Sequence, residues 1–233
     1  AFFTFAFPLM FLVIFTALLG GGNVEVAPGV MIQRDSYYVA AMAAFAVITA
    51  TYTNLAISVS FTRDAGILKR TRGSPLPAGI YLGGRVPAPV LISILLVLIT
   101  AAFGVAFYQA NVPTGVRLWE YFVTVVVGAM AFSALGLATT AVVPNADAAP
   151  AVVNAIILPL LFLSGIFFPL EGAPQWMIVL GDIFPVKHFA EAMLGSFYGP
   201  PLQFEWVDPL VVAAWGVVGL AVAIRFFSWE PRR

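Results

Sequence analysis

The side chains best equipped for chemistry in this chain are five bases gathered in one polar stretch: Arg63, Lys69, Arg70, Arg72 and Arg85. They are nearly half of the eleven Lys and Arg residues, in a sequence where only 9% of residues are charged. Guanidinium and ammonium groups at this density do electrostatic work: they meet an acidic cleft on a partner protein, or the anionic head groups of a bilayer. Gly66 and Pro75 bracket the segment, and Ile67 and Leu68 put an apolar anchor beside the charges. Arg63, Asp64, Gly66, Ile67, Leu68, Lys69, Arg70, Arg72, Ser74 and Pro75 thus form one candidate docking surface. The simpler reading stands beside it, that positive residues after a span only hold topology or touch lipid.

Little else in the sequence could act on a bond. The absence of cysteine removes disulfides, thiol catalysis and thiolate metal sites together. His188 is the single histidine, and with no second ligand at metal-binding spacing it reads as a solvated or interfacial imidazole beside Lys187. Neither HExxH nor GxSxG occurs. Gly20-Gly-Gly-Asn23 lacks the Lys-Ser/Thr of a phosphate loop and reads as a flexible turn. No Asp or Glu lies near the middle of an apolar stretch, where ion-coupled transporters keep the carboxylate that links binding to movement. No cofactor, metal or catalytic group is therefore expected in this chain, and nothing points to nucleic acid. A transporter of this sequence borrows its energy from elsewhere or is passive.

The elements that must carry these residues are membrane helices. Hydrophobic residues make up 61% of the chain and mean hydropathy is +0.99, far from the composition of soluble domains. Six stretches reach the roughly 20 apolar residues of a span: 1–19, 37–61, 86–108, 118–143, 151–168 and 207–227. They are too long, and alternate too little, for barrel strands. The expectation is a single all-α integral membrane domain over residues 1–233. Arg63, Lys69, Arg70, Arg72, Arg85, Arg225, Arg232 and Arg233 fall on one side, which the positive-inside rule makes the cytoplasm, with both termini there.

Within the second span, Thr49, Thr51, Thr53, Asn54, Ser58 and Ser60 are polar; hydroxyls can bond back to their own helix, but an amide in hydrocarbon needs a second helix, a substrate or water. Packing and lining a pathway are equal readings for Asn54. Gly128, Ala129, Ser133, Ala134, Gly136 and Ala138 let another backbone come close in span four, either within the chain or at a dimer seam. Between spans five and six, Trp176, Val179, Leu180 and Ile183 follow helical spacing, as do Phe189, Met193 and Phe197. Pro185 separates these two amphipathic pieces, which would lie at or dip into the outer leaflet.

Asp64-x-Gly66-x-Leu68 followed by Ser74-Pro75-Leu76 resembles the signature of type-2 ABC exporter permeases, with most likeness to the daunorubicin-resistance type. That family has Glu where this chain has Asp64 and Thr where it has Ile67. Leu163-Ser-Gly-Ile-Phe-Phe-Pro169, followed by Pro185, is similar to the family's end of span five and its external re-entrant helices. The resemblance implies that the segment between spans two and three is a cytoplasmic coupling helix touching a separate ATPase, which holds ATP and Mg. It implies two ATPases, and a second permease that is either an identical copy or a relative, in a bacterial inner membrane. It also implies an amphipathic cytoplasmic helix before span one, which is missing from this sequence. Thr49, Thr53, Asn54, Asn154, Phe162 and Phe167 are candidates for a substrate path, and Pro169, Trp176, Pro185 and Phe189 for an outer lid. The implied activity is ATP-driven export of hydrophobic or amphipathic drugs, antibiotics or lipids. A flippase for glycolipid or polysaccharide is the alternative, and a passive channel or scaffold the rival from another class.

Overall fold

One long rod organises the chain. In the computed structural model, which describes residues 2–19, 21–27, 29–68, 77–110, 112–198, 202 and 204–228, helix α2 (Arg34–Ile48) runs through a π turn (Thr49–Thr53) into α3 (Asn54–Asp64) without a break. Every residue from Ser36 to Ile48 is buried. Its alanines (Ala40, Ala41, Ala43, Ala44 and Ala46) let neighbouring helices approach, which is how helices associate where lipid is as apolar as the protein. The widened turn falls where Thr49 and Thr51 bond back to the carbonyls of Phe45 and Val47, at 2.8 and 2.6 Å. Such hydroxyls compete with the helical ladder, and π turns often accompany function.

Around the rod stand α1 (Phe2–Leu19), α5 (Pro87–Tyr108), α6 (Val116–Thr139), α7 (Ala149–Phe162) and α10 (Val207–Phe226), with α4 (Ala78–Arg85) leading into α5. Among the described residues, four helices are long and apolar enough to cross a bilayer: Arg34–Asp64, Gly79–Tyr108, Val116–Thr139 and Val207–Phe226. Two more, Ala6–Leu19 and Ala149–Phe162, are apolar but shorter. The protein is therefore a multi-pass membrane protein. The least apolar of the four long helices is the most buried, because outward-facing helices must match lipid.

Small residues make the central seam. A Cβ on Gly136 would lie 2.6 Å from the Tyr52 carbonyl oxygen, and one on Gly216 would lie 2.9 Å from the Ala131 Cα. Gly219 meets Leu135 N at 3.0 Å in the same way. The small face of α6 thus packs within the chain, against the rod and against α10. Gly128 has a different neighbour, the ring of Phe189.

Several boundaries differ from the expected ones. Span four stops at Thr139 rather than 143, where Thr140 and the residues before Pro144 turn to meet Arg63. Span five stops at Phe162 rather than 168, since Pro159 sits in its last turn and Gly165 takes φ +80°. The loop after α1 is a small antiparallel hairpin, β1 (Asn23–Ala27) with β2 (Val30–Gln33), pairing Val24 with Ile32 and Glu25 with Met31. The all-α expectation overlooked the period-two run Val24, Val26, Val30, Ile32 around Gly29.

Candidate functional site

The base of the polar loop is a joint. Arg63, only 2% exposed, donates to the carbonyls of Thr140 (3.0 Å), Val143 (2.8 Å) and Pro144 (3.3 Å). These oxygens are exposed where α6 unwinds, so a guanidinium with five fixed donors satisfies acceptors that the helix end leaves open. Asp64 pairs with Arg63 at 3.3 Å and accepts the Ala146 amide. Gly66, at φ +72°, ends α3 in the left-handed conformation that suits glycine after a helix. Leu68 is fully buried and Ile67 exposed. Arg85 lies against the Tyr81 ring, donates to its hydroxyl at 2.7 Å and reaches Thr62. Lys69, Arg70, Arg72, Ser74 and Pro75 lie outside the described residues. Two of the five bases, Arg63 and Arg85, are thus engaged within the chain.

Midway along the rod a lateral groove of about 470 Å³ opens between α1, the π turn and α7. Its walls are apolar, with Phe11, Phe45, Ile57 and Leu161 among them, and Thr49, Thr53, Asn54 and Asn154 supply the polar atoms. Of the six candidate path residues, Phe167 also lines the groove, and Phe162 packs a tilted ring against Phe167 with centroids 5.1 Å apart. Asn54 and Asn154 are exposed. The sequence pattern offered no reason to choose Phe11 and Phe45; they enter because the Phe-rich first helix packs its rings on Phe45 and Phe167.

At the opposite end, α8 (Gln175–Ile183) and α9 (Pro185–Tyr198) form the expected pair, parted at Phe184. The stripe Trp176, Val179, Leu180, Ile183 is exposed. Helix α8 is held instead through Gly181, against the Leu163 carbonyl, and by Trp215, whose ring N–H donates to the Ile183 carbonyl at 3.2 Å. In α9, Phe189, Met193 and Phe197 are buried, and Phe189 lies edge-on to Phe132 at 5.2 Å. Of the lid candidates, Trp176 is exposed, Pro169 partly exposed, and Pro185 and Phe189 are packed inward.

The bases at this end are all engaged. Arg34 donates to the Leu19 carbonyl at 2.6 Å, Arg117 to that of Tyr198 at 2.6 Å, and Lys187 pairs with Asp182. His188, expected as a solvated or interfacial imidazole, is partly exposed and engaged at both nitrogens: Nδ1 lies 2.7 Å from an Asp208 carboxylate oxygen and Nε2 3.0 Å from the Asp182 carbonyl. Burial pulls the imidazole pKa down, but the Asp208 and Asp182 hydrogen bonds and the charges of Asp208 and Glu191 outweigh it, leaving it above the usual histidine value. Asp208, twenty residues further on, joins this cluster only through the fold.

The ABC-2 type transporter family model matches residues 2–198, and the chain is a member of that family. It is 30% identical over 177 residues to ABC transporter G family member 20 of Dictyostelium discoideum, covering 72% of this chain and 23% of that protein. It is 29% identical over 136 residues to the probable multidrug ABC transporter permease YbhR of Escherichia coli K12, covering 58% and 36%. With the inner membrane transport permease YadH of the same strain, identity is 26% over 190 residues, covering 79% and 69%. The chain thus spans about a quarter of the first of these relatives and about a third of the second.

Proposed function

We propose that this chain is the permease part of an ATP-driven exporter, crossing the membrane six times with Ala6–Leu19 and Ala149–Phe162 as the two shorter passes. The loop after Asp64 docks a cytosolic ATPase, which supplies the ATP and Mg chemistry. Two permeases, identical or related, face each other across the grooves, and two ATPases drive them. The observation that carries this reading is continuity: one rod, Arg34–Asp64, lines the groove with Thr49, Thr53 and Asn54 and ends in the Arg63–Asp64 joint next to the loop. A push on the loop therefore moves the groove wall and, through the carbonyls of Thr140 and Val143, the turn leading to α7. An apolar groove with a few amides suits amphipathic drugs or lipids better than highly charged solutes. Bases on the loop side support a cytoplasmic orientation for it, with α8 and α9 on the outer face as a lid.

The test is purification of the tagged protein from its native membranes in mild detergent, with the stoichiometry of what accompanies it. An equimolar ATPase with a Walker motif supports the reading; its reproducible absence from intact, folded permease overturns it. Which compound then stimulates ATP hydrolysis, an amphipathic drug or a glycolipid, separates drug export from the flippase alternative.

A further inference from the structure

Far from the Arg63 joint, the first two turns of α9 and the start of α10 bring together ligand-type atoms for which the transport reading has no use. His188 and Glu191 are three apart on α9 and share one helical face. Asp208 comes from the start of α10. One ligand atom from each lies within 4.8 Å of the others. Because a carbonyl only accepts, the contact between His188 Nε2 and the Asp182 carbonyl puts a proton on Nε2. At 2.7 Å the Asp208 carboxylate likewise accepts a proton from Nδ1, and an ion held between Asp208 and Glu191 would displace that proton and take the Nδ1 lone pair. Metal-binding histidines are held in this way, with one nitrogen on the ion and the other donating to a carbonyl or carboxylate that fixes the ring.

Charge points the same way. The junction holds three carboxylates, Asp182, Glu191 and Asp208. Against them stands one ammonium, Lys187, which pairs with Asp182 and lies 3.7 Å from Glu191. With a neutral imidazole, three negative charges and one positive leave a formal charge of two negative. A proton shared by His188 and Asp208 offsets one of these charges; a divalent cation offsets both. His188 and Asp208 side chains are each 16% exposed and Glu191 is 47% exposed, so the cluster is walled on one side and reachable from solvent on the other.

We infer that His188, Glu191 and Asp208 bind a single divalent transition-metal ion that staples α9 to α10. An imidazole with two carboxylates suits zinc or manganese better than calcium or magnesium, which prefer oxygen-only sets. Three protein ligands leave a position for water. The site stands independently of the ATPase reading.

Zinc is titrated calorimetrically into the chelator-washed chain in detergent, purified through a tag without histidine, and thermal unfolding is followed in parallel. One equivalent binds and raises the melting temperature. His188→Gln and Glu191→Gln each weaken binding at least tenfold and remove the thermal shift. Glu191→Gln decides the matter even if His188→Gln folds poorly, since its half-exposed side chain takes an isosteric amide without repacking and its own metal-free melting is the reference for its thermal shift. Absence of stoichiometric binding in the parent, or equal binding by Glu191→Gln, overturns the site.

Discussion

The two ends of the molecule solve the same problem in opposite ways. At each, a charged side chain ties together segments distant in sequence. Around Arg63 the cluster is closed: one buried cation meets one partly buried carboxylate and three carbonyls, and each of these acceptors has a donor. Around His188 it is open: carboxylates outnumber cations and Glu191 faces solvent. A matched joint has one stable arrangement and passes displacement on; an unmatched one responds to what occupies it. Under the exporter proposal the Arg63 end would transmit force, and with an ion bound the His188 end would be an adjustable tether.

The comparison breaks most readily at Arg63. Arg63→Ala leaves Asp64 uncompensated and the Thr140, Val143 and Pro144 carbonyls without their donor, at a cost of about 3–5 kcal/mol. Thermal unfolding in detergent should show the largest loss of any single substitution here, with Arg63→Lys recovering only part because an ammonium cannot fork to three acceptors. Unchanged melting of Arg63→Ala would mean that the joint carries no load. Next is Gly136→Ala, whose Cβ would stand 2.6 Å from the Tyr52 carbonyl oxygen. Backbone must shift to admit it, so a loss of roughly 1–3 kcal/mol is expected by the same measurement. Tyr37→Phe is smaller: it removes one hydroxyl that donates to the Gly165 carbonyl at the His188 end, worth about 1 kcal/mol.

How far the sequence foretold these regions depends on the range of the interaction. The apolar runs marked every long helix, because span hydropathy is local, and the small residues of α6 foretold its close packing. Helix ends were misjudged where a long-range partner sets them: nothing near Thr139 says that Arg63 will claim the carbonyls beyond it. The α8 stripe was legible as a helix but not in direction, since Trp176 and Val179 face outward and Gly181 faces in. Asn54 was legible as a polar exception and Asn154 as a path candidate, yet only the fold shows that both line one groove. The acidic surroundings of His188 were invisible for the same reason, although the HxxE spacing with Glu191 was there to be read.

The smallest effect on stability belongs to the groove, and it sharpens the contrast from the other side. Asn54 is exposed to the groove rather than packed, so Asn54→Leu should change unfolding by no more than about 0.5 kcal/mol. In the exporter reading its consequence is selectivity: compounds that offer a donor or acceptor to the amide lose stimulation of ATP hydrolysis, while purely apolar ones keep it. Asn154→Leu, on the facing helix, should shift the same compounds, and the double variant should add little if both amides serve one ligand. Loss of assembly in Asn54→Leu with unchanged selectivity in the surviving fraction would make the amide a packing contact between permeases. The groove would then be a helix interface instead of a path, and the rod would transmit force to a partner rather than to a substrate.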